Sequence, residues 1–199
     1  MNTWDERFAT EDYAYGTEPN EFLVQAADHL PQNGDVLCLA EGEGRNAVWL
    51  AKRGYHVTAM DGSRAGLLKA ARLAGEANVV VTLQAADLNG YTIAPARWDA
   101  IVAIWIPMPP DLRRRILREC VQGLKPGGAF VWVGYGPRQL EYGTGGPPHI
   151  EMLPTAAEVA AELDGLTIVH AADVDRPVLE GRYHSGMSAV VEVVGKKPA

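Results

Sequence analysis

Apolar positions along the chain fall into two periods, and the switch between them marks out its elements. Short runs of β-branched and aliphatic residues predict strands at about 36–39, 56–60, 79–84, 100–104, 128–135, 166–173 and 187–194. Between them, apolar residues recur at helical spacing near 21–30, 45–53, 64–77, 110–124 and 155–163. Ser63 is placed to cap the third helix, Pro110 or Asp111 to open the fourth, and Lys125-Pro126-Gly127-Gly128 to stop it. Strands and helices alternate from Val36 onward, which predicts an α/β fold with a doubly wound, mostly parallel sheet and helices on both faces. The Gly- and Pro-rich segment Gly134–Pro148 reads as a long irregular loop at the end of the sheet where such folds bind ligands.

The stretch Val36–Asp61, VLCLAEGEGRNAVWLAKRGYHVTAMD, carries the most chemistry. It runs strand, glycine turn, helix, strand, acid. Gly42 and Gly44 permit positive φ and let a ligand approach the backbone. Asp61, at the end of the next strand, stands where a carboxylate can accept both hydrogens of a ribose diol, so adenosine is expected. Dinucleotide binders show a third glycine for a pyrophosphate at the helix N-terminus, but here Arg45, Asn46 and Ala47 follow Gly44. Glu41 and Glu43 suit a cationic sulfonium with an amino-acid tail better than a pyrophosphate.

The run LAEGEGRNAVWLAKRGYHVTAMDGS resembles motifs I and II of class I S-adenosylmethionine-dependent methyltransferases, and most the small bacterial tellurite-resistance and thiopurine-type branch. YGTEPNEFL, the ADL at Ala86–Leu88, GLKPGG and LEYGTGGP extend that resemblance over nearly the whole chain. Two positions depart from it: the motif's usual early acid is Cys38 here, and its usual first glycine is Ala40. The resemblance implies a Rossmann-like sheet of seven strands whose last strand is antiparallel and inserted beside the fifth. It also implies S-adenosyl-L-methionine as cofactor.

For the cofactor, the expected residues are Tyr15 and Gly16 on an N-terminal lid, Ala40, Glu41, Gly42 and Gly44 in the turn, and Asp61, Gly62 and Ser63 after the second strand. The resemblance adds Asp87 for the adenine amino group and Leu88 beside the ring, and Ile104 ends the fourth strand at the sheet edge where the transferred methyl would sit. Arg45 and Asn46 could reach the cofactor carboxylate or cap the turn. Trp105 opens WIPMPP, an apolar wall suited to a desolvated nucleophile; the N/D-P-P-Y/F sequence of many amine and nucleobase methyltransferases is absent. On the acceptor side stand Tyr142, Thr144 and His149 on the loop after the fifth strand, and Arg182, Tyr183 and His184 between the last two strands. His184, with Tyr183 and Trp105, is the candidate catalytic group, because imidazole titrates near working pH.

Length and charge narrow the picture. The 199 residues, 47% of them hydrophobic, fit one domain, with an N-terminal lid and helix over 1–32 and the core over 33–199. A net charge of −7 argues against nucleic acid as a partner. The basic run Arg113–Arg115 with Arg118 reads as the solvated face of an amphipathic helix. Cys38 and Cys120 read as small core residues in a reduced, cytoplasmic protein, and no His or Cys pair has metal-ligand spacing. No run reaches the length of a membrane span. The expected protein is therefore a monomeric or homodimeric enzyme that methylates a small molecule. A thiol, selenium or tellurium species is the favoured acceptor and a small heterocycle the next; a cofactor-binding sensor without turnover is the alternative.

Overall fold

A computed structural model describes residues 3–199; residues 1 and 2 of the expected lid segment lie outside it. The strands are β1 (Asp35–Leu39), β2 (His56–Asp61), β3 (Val81–Ala85), β4 (Trp98–Ile104), β5 (Leu124–Tyr135), β6 (Thr167–Glu180) and β7 (His184–Lys196). They form one sheet in the order β3-β2-β1-β4-β5-β7-β6. The pairs from β3 across to β5 are parallel, and β7 runs antiparallel to both of its neighbours. This is the seven-stranded arrangement expected, with the last strand inserted beside the fifth.

The helices are α1 (Thr3–Phe8), α2 (Glu21–Ala26), α3 (Arg45–Lys52), α4 (Arg64–Glu76), α5 (Pro110–Gly123), α6 (Gln139–Tyr142) and α7 (Ala156–Glu162). Alternate residues of each central strand point to opposite faces of the sheet, so each strand feeds two cores. Leu37, Leu39, Ile101 and Trp132 pack with Ile116 and Leu117 of α5 and Val159 of α7. Val36, Cys38, Val102 and Val131 pack on the other face with Leu23 of α2 and Leu50 of α3. Both cysteines are free and buried, and burial pushes both thiols up. Among the described residues no helix is long and apolar enough to cross a membrane.

Several expectations need correction. β6 and β7 reach far past 173 and back before 187, pairing from Thr167 with Lys196 to Glu180 with His184. The segment 174–180, charged and holding Pro177, lies outside the expected strand, but β6 continues through it as an edge strand with alternating exposure, where proline is tolerated. His184 therefore opens β7 instead of lying in the connection. The third expected strand starts at Val81, leaving Val80 exposed. The first expected helix turns 3-10 over Ala27–His29. Gly134 and Tyr135 belong to β5, and α6 interrupts the expected loop. Lys125–Gly128 forms an irregularity inside β5, between the pairs Trp98–Leu124 and Ala100–Ala129. Arg113 is not solvated: it is buried and makes a two-pronged bridge to Glu162, with both N···O distances 2.9 Å, tying α5 to α7.

Candidate active site

The turn after β1 takes three positive φ angles, at Ala40 (46°), Gly42 (65°) and Gly44 (92°). Gly42 donates its N–H to Asp61 Oδ2 at 2.8 Å, and a Cβ there would lie 3.1 Å from the Phe8 ring of α1. Gly44 does not line the site. It caps α3, and a Cβ on it would come within 2.6 Å of Ala70 Cβ, so its work is to seat α3 on α4. Ala40 adopts a left-handed conformation that costs an alanine more than a glycine. Ala40→Gly is expected to stabilise the fold by about 1 kcal/mol, roughly 2–4 °C in Tm; a melting curve that shifts down instead would show that the methyl packs usefully.

The acids of the turn are individually tied. Glu43 is buried, accepts from the backbone of Ala14 (2.8 Å) and Tyr15 (3.3 Å) and pairs with Lys69 at 2.7 Å, so it fastens the N-terminal lid. Glu41 Oε1 accepts from Asn46 N–H and Ala47 N–H, both at 2.9 Å. A carboxylate thus already occupies the start of α3, where a dinucleotide would place its pyrophosphate. Burial pushes Glu41 up to about 7, against the opposing hydrogen bonds from Ala47 and Asn46 and the charge of Arg45. A cationic ligand favours the ionised carboxylate, so its binding expels the proton, and affinity rises as pH rises through 7. Calorimetry from pH 6 to 8 is expected to show S-adenosylmethionine binding more tightly with pH, by up to about tenfold per unit below 7. In Glu41→Gln only the titration of the ligand's own amine remains; coincident profiles for the two proteins would contradict this assignment.

These groups wall a cavity of about 500 Å³ at the C-terminal ends of β1, β2 and β4. Tyr15, Gly16, Ala40, Glu41, Gly42, Asp61, Gly62, Asp87, Leu88 and Ile104 line it. Asp61 is buried, also accepts from Ser63 N–H at 2.6 Å, and is raised by that burial. Asp87 is exposed at the rim, where the backbone and side-chain N–H groups of Asn89 hold its carboxyl low. Ser63 is absent from the wall: it is fully buried, caps α4 through Gly66 N–H (3.1 Å) and donates to Asp5 at 2.6 Å.

Arg45 and Asn46 line the cavity but are already engaged. Asn46 Oδ1 accepts from Asn20 N–H at 2.8 Å. Arg45 pairs with Glu180, at the tip of the β6–β7 hairpin. Glu180 also accepts from Asn20 Nδ2 (2.7 Å) and Trp105 Nε1 (2.6 Å). Burial works to raise Glu180, but neighbouring His184, the Arg45 charge and these N–H groups hold it down to about 2. Glu180 and Asn20, which brace Arg45, Asn46 and Trp105 from behind the cavity wall, are not among the residues expected from the sequence.

A second cavity of about 330 Å³ shares Trp4, Tyr15, Trp105, Ile106, Pro107 and His184 with the first. Trp105 has φ 57°, and its ring lies 4.4 Å from that of Tyr135 and 4.7 Å from that of His184. His184 is buried with Nδ1 4.0 Å from Glu180 Oε2, and burial lowers it, so its imidazole is neutral near pH 7. Tyr183 lines only the second cavity, at its exposed mouth. Tyr142, Thr144, His149 and Arg182 line neither.

The residues present fit an S-adenosyl group: a positive-φ cradle, a buried carboxylate at the end of β2, further acids along the wall, and a cavity in the range of about 300–1,000 Å³ for small ligands. Sheet order and cradle together are those of the class I S-adenosylmethionine-dependent methyltransferase fold. Residues 36–128 match the family described as methyltransferase domain. The chain is 26% identical over 117 residues to the 2-heptyl-1-hydroxyquinolin-4(1H)-one methyltransferase of Mycobacteroides abscessus, in a match covering 57% of this chain and 52% of that protein. It thus spans about half the length of this curated relative. The fold is similar to TehB from Haemophilus influenzae, with TM-score 0.74 and 16% identity over 98% of this chain and 65% of that one. It is also similar to a SAM-dependent methyltransferase from Methanosarcina mazei, with TM-score 0.67 and 17% identity over 91% and 99%.

Proposed function

We propose that the protein transfers a methyl group from S-adenosylmethionine to a small aromatic heterocycle. The observation that carries this reading is the pair of abutting cavities, one acidic and cradle-shaped, the other walled by rings, which meet at Tyr15, Trp105 and His184. S-adenosylmethionine, when bound, supplies an electrophilic methyl carried on a sulfonium. Asp61 would accept from the ribose hydroxyls, and the ionised Glu41 would balance the amino-acid tail. The rings of Tyr15 and Trp105 would face the sulfonium and exclude water, an effect worth about 0.5–2 kcal/mol per ring. The remaining task is to hold the two reactants in line. His184, neutral and at the junction, can take a proton from an acceptor N–H, O–H or S–H, and Glu180 then lies beside the imidazolium.

The ring-lined wall favours the heterocycle over the selenium and tellurium oxyanions, which have no flat face to stack. The relative from Mycobacteroides abscessus is named for a quinolone, which supports the same direction. The test is release of S-adenosylhomocysteine by the purified protein against 1-hydroxyquinolin-4-ones, thiopurines, imidazoles, small thiols, selenite and tellurite. Turnover confined to flat heterocycles supports the proposal, turnover with tellurite or thiols alone reverses the order, and donor binding with no turnover turns the weight to a sensor.

A further inference from the structure

The two cavities differ in charge. Glu41, Glu43, Asp61 and Asp87 line the first, and its one cation, Arg45, is already paired with Glu180. No acidic residue lines the second; Arg7 of α1 does. The Arg7 guanidinium sits between two rings, its centre 4.9 Å from the Trp4 centroid and 4.7 Å from that of Tyr183, and it donates to Tyr15 Oη at 2.8 Å. Among the described residues no carboxylate stands within ion-pair distance of it. A partly buried cation without a counter-ion is poorly solvated, and an anion seated beside it restores the balance.

Two further rings belong to the same walls. The rings of Trp132 and Tyr135 both line the second cavity. The cavity therefore offers stacking faces and an unpaired positive charge, and it offers no spare acid.

We propose that the second cavity binds a planar aromatic anion and that Arg7 is the residue that selects its charge. Calling this molecule the methyl acceptor rests on the function proposed above; the charge and shape of the site do not. A lid residue thus sets acceptor specificity, since α1 carries Arg7 over the cavity while Phe8 of the same helix covers the glycine turn.

The test compares three probes on the full chain, with and without S-adenosylhomocysteine: 2-naphthoate, the neutral isostere 2-naphthamide, and cyclohexanecarboxylate, which is charged but not flat. Binding is read by calorimetry and by quenching of tryptophan fluorescence, since Trp4, Trp105 and Trp132 wall the cavity. At low salt 2-naphthoate is expected to bind about tenfold more tightly than either alternative. Arg7→Met should bring 2-naphthoate down to the level of 2-naphthamide, with 2-naphthamide itself little changed, and Arg7→Lys should keep part of the preference. An unchanged melting temperature shows that each variant folds. Equal binding of naphthoate and naphthamide by the unaltered protein, or a preference that survives in Arg7→Met, overturns the proposal. Binding of S-adenosylhomocysteine without any charge preference overturns this proposal alone. A charge preference without S-adenosylhomocysteine binding keeps the anion site and removes the methyltransferase reading instead.

Discussion

Asp61→Ala is expected to weaken S-adenosylmethionine binding by at least about 100-fold, because a carboxylate receiving two hydroxyls makes two charge-assisted hydrogen bonds of about 1.5–3 kcal/mol each. Asp61 already accepts from Gly42 and Ser63, one bond to each oxygen, and each oxygen keeps a further lone pair for a hydroxyl. The same two bonds fix the turn, so alanine also leaves two buried N–H groups unpaired and costs about 2–4 kcal/mol of stability. Asp61→Asn separates the two effects: it preserves volume, and it turns one acceptor into a donor facing donors. Calorimetric titration of both variants, with melting curves in parallel, checks the prediction. A dissociation constant within threefold of the unaltered protein in Asp61→Ala would remove Asp61 from the ribose site.

The second large effect is expected at Glu180. Its side chain and that of Arg45 are each less than a tenth exposed, and removing one partner of such a pair leaves the other charge buried alone. Glu180→Ala should therefore cost about 3–5 kcal/mol, on the order of 10 °C in Tm. Since Glu180 is held at about 2, below its unfolded value of 4.5, its contribution is full above pH 4.5 and is lost as pH falls toward 2. It amounts to about 3 kcal/mol at neutral pH. The acid limb of a stability profile should flatten in the variant. In the pair Arg45→Met with Glu180→Leu, the double change should cost less than the sum of the single ones; strict additivity would show that the bridge contributes nothing.

Why Glu180 escaped the sequence while Asp61 did not is a matter of local against distant information. Val36–Asp61 is one continuous strand, turn, helix and strand, and its apolar alternation, glycines and terminal acid all lie within a short window, so these elements were legible. Glu180 stands on an edge strand that is charged, contains Pro177 and shows only alternating burial, and its partners Asn20, Arg45 and Trp105 are distant in sequence. α1 has six residues, too short for a helical period to register. Arg7 therefore carried no signal. Gly44 and Ser63 looked like donor residues because they flank the right positions, yet their surroundings give them packing and capping work.

Cys38 illustrates the reverse. The resemblance marks it as the place of a missing acid, and the structure puts it in the dry core beneath Glu41, with its thiol pushed well up. The acidic function is available three residues on, at Glu41, whose carboxylate reaches the cavity from the turn instead of from the strand.

The hairpin tip also sets when the site can exist. Gly181 packs so closely on Ala14 and Tyr15 that a Cβ would lie 2.4 Å from Ala14 O, and Arg182 N–H donates to that same carbonyl at 2.9 Å. The roof over the cavities thus joins Trp4 and Tyr15 to His184, which the ribosome makes long after them. A nascent chain that has completed the glycine turn and Asp61 still has an open groove, and only release of the β6–β7 hairpin from the exit tunnel seals it. Ligand available during translation would therefore meet a half-built site and could act on folding only after the hairpin has closed it, as a clasp on two segments already brought together.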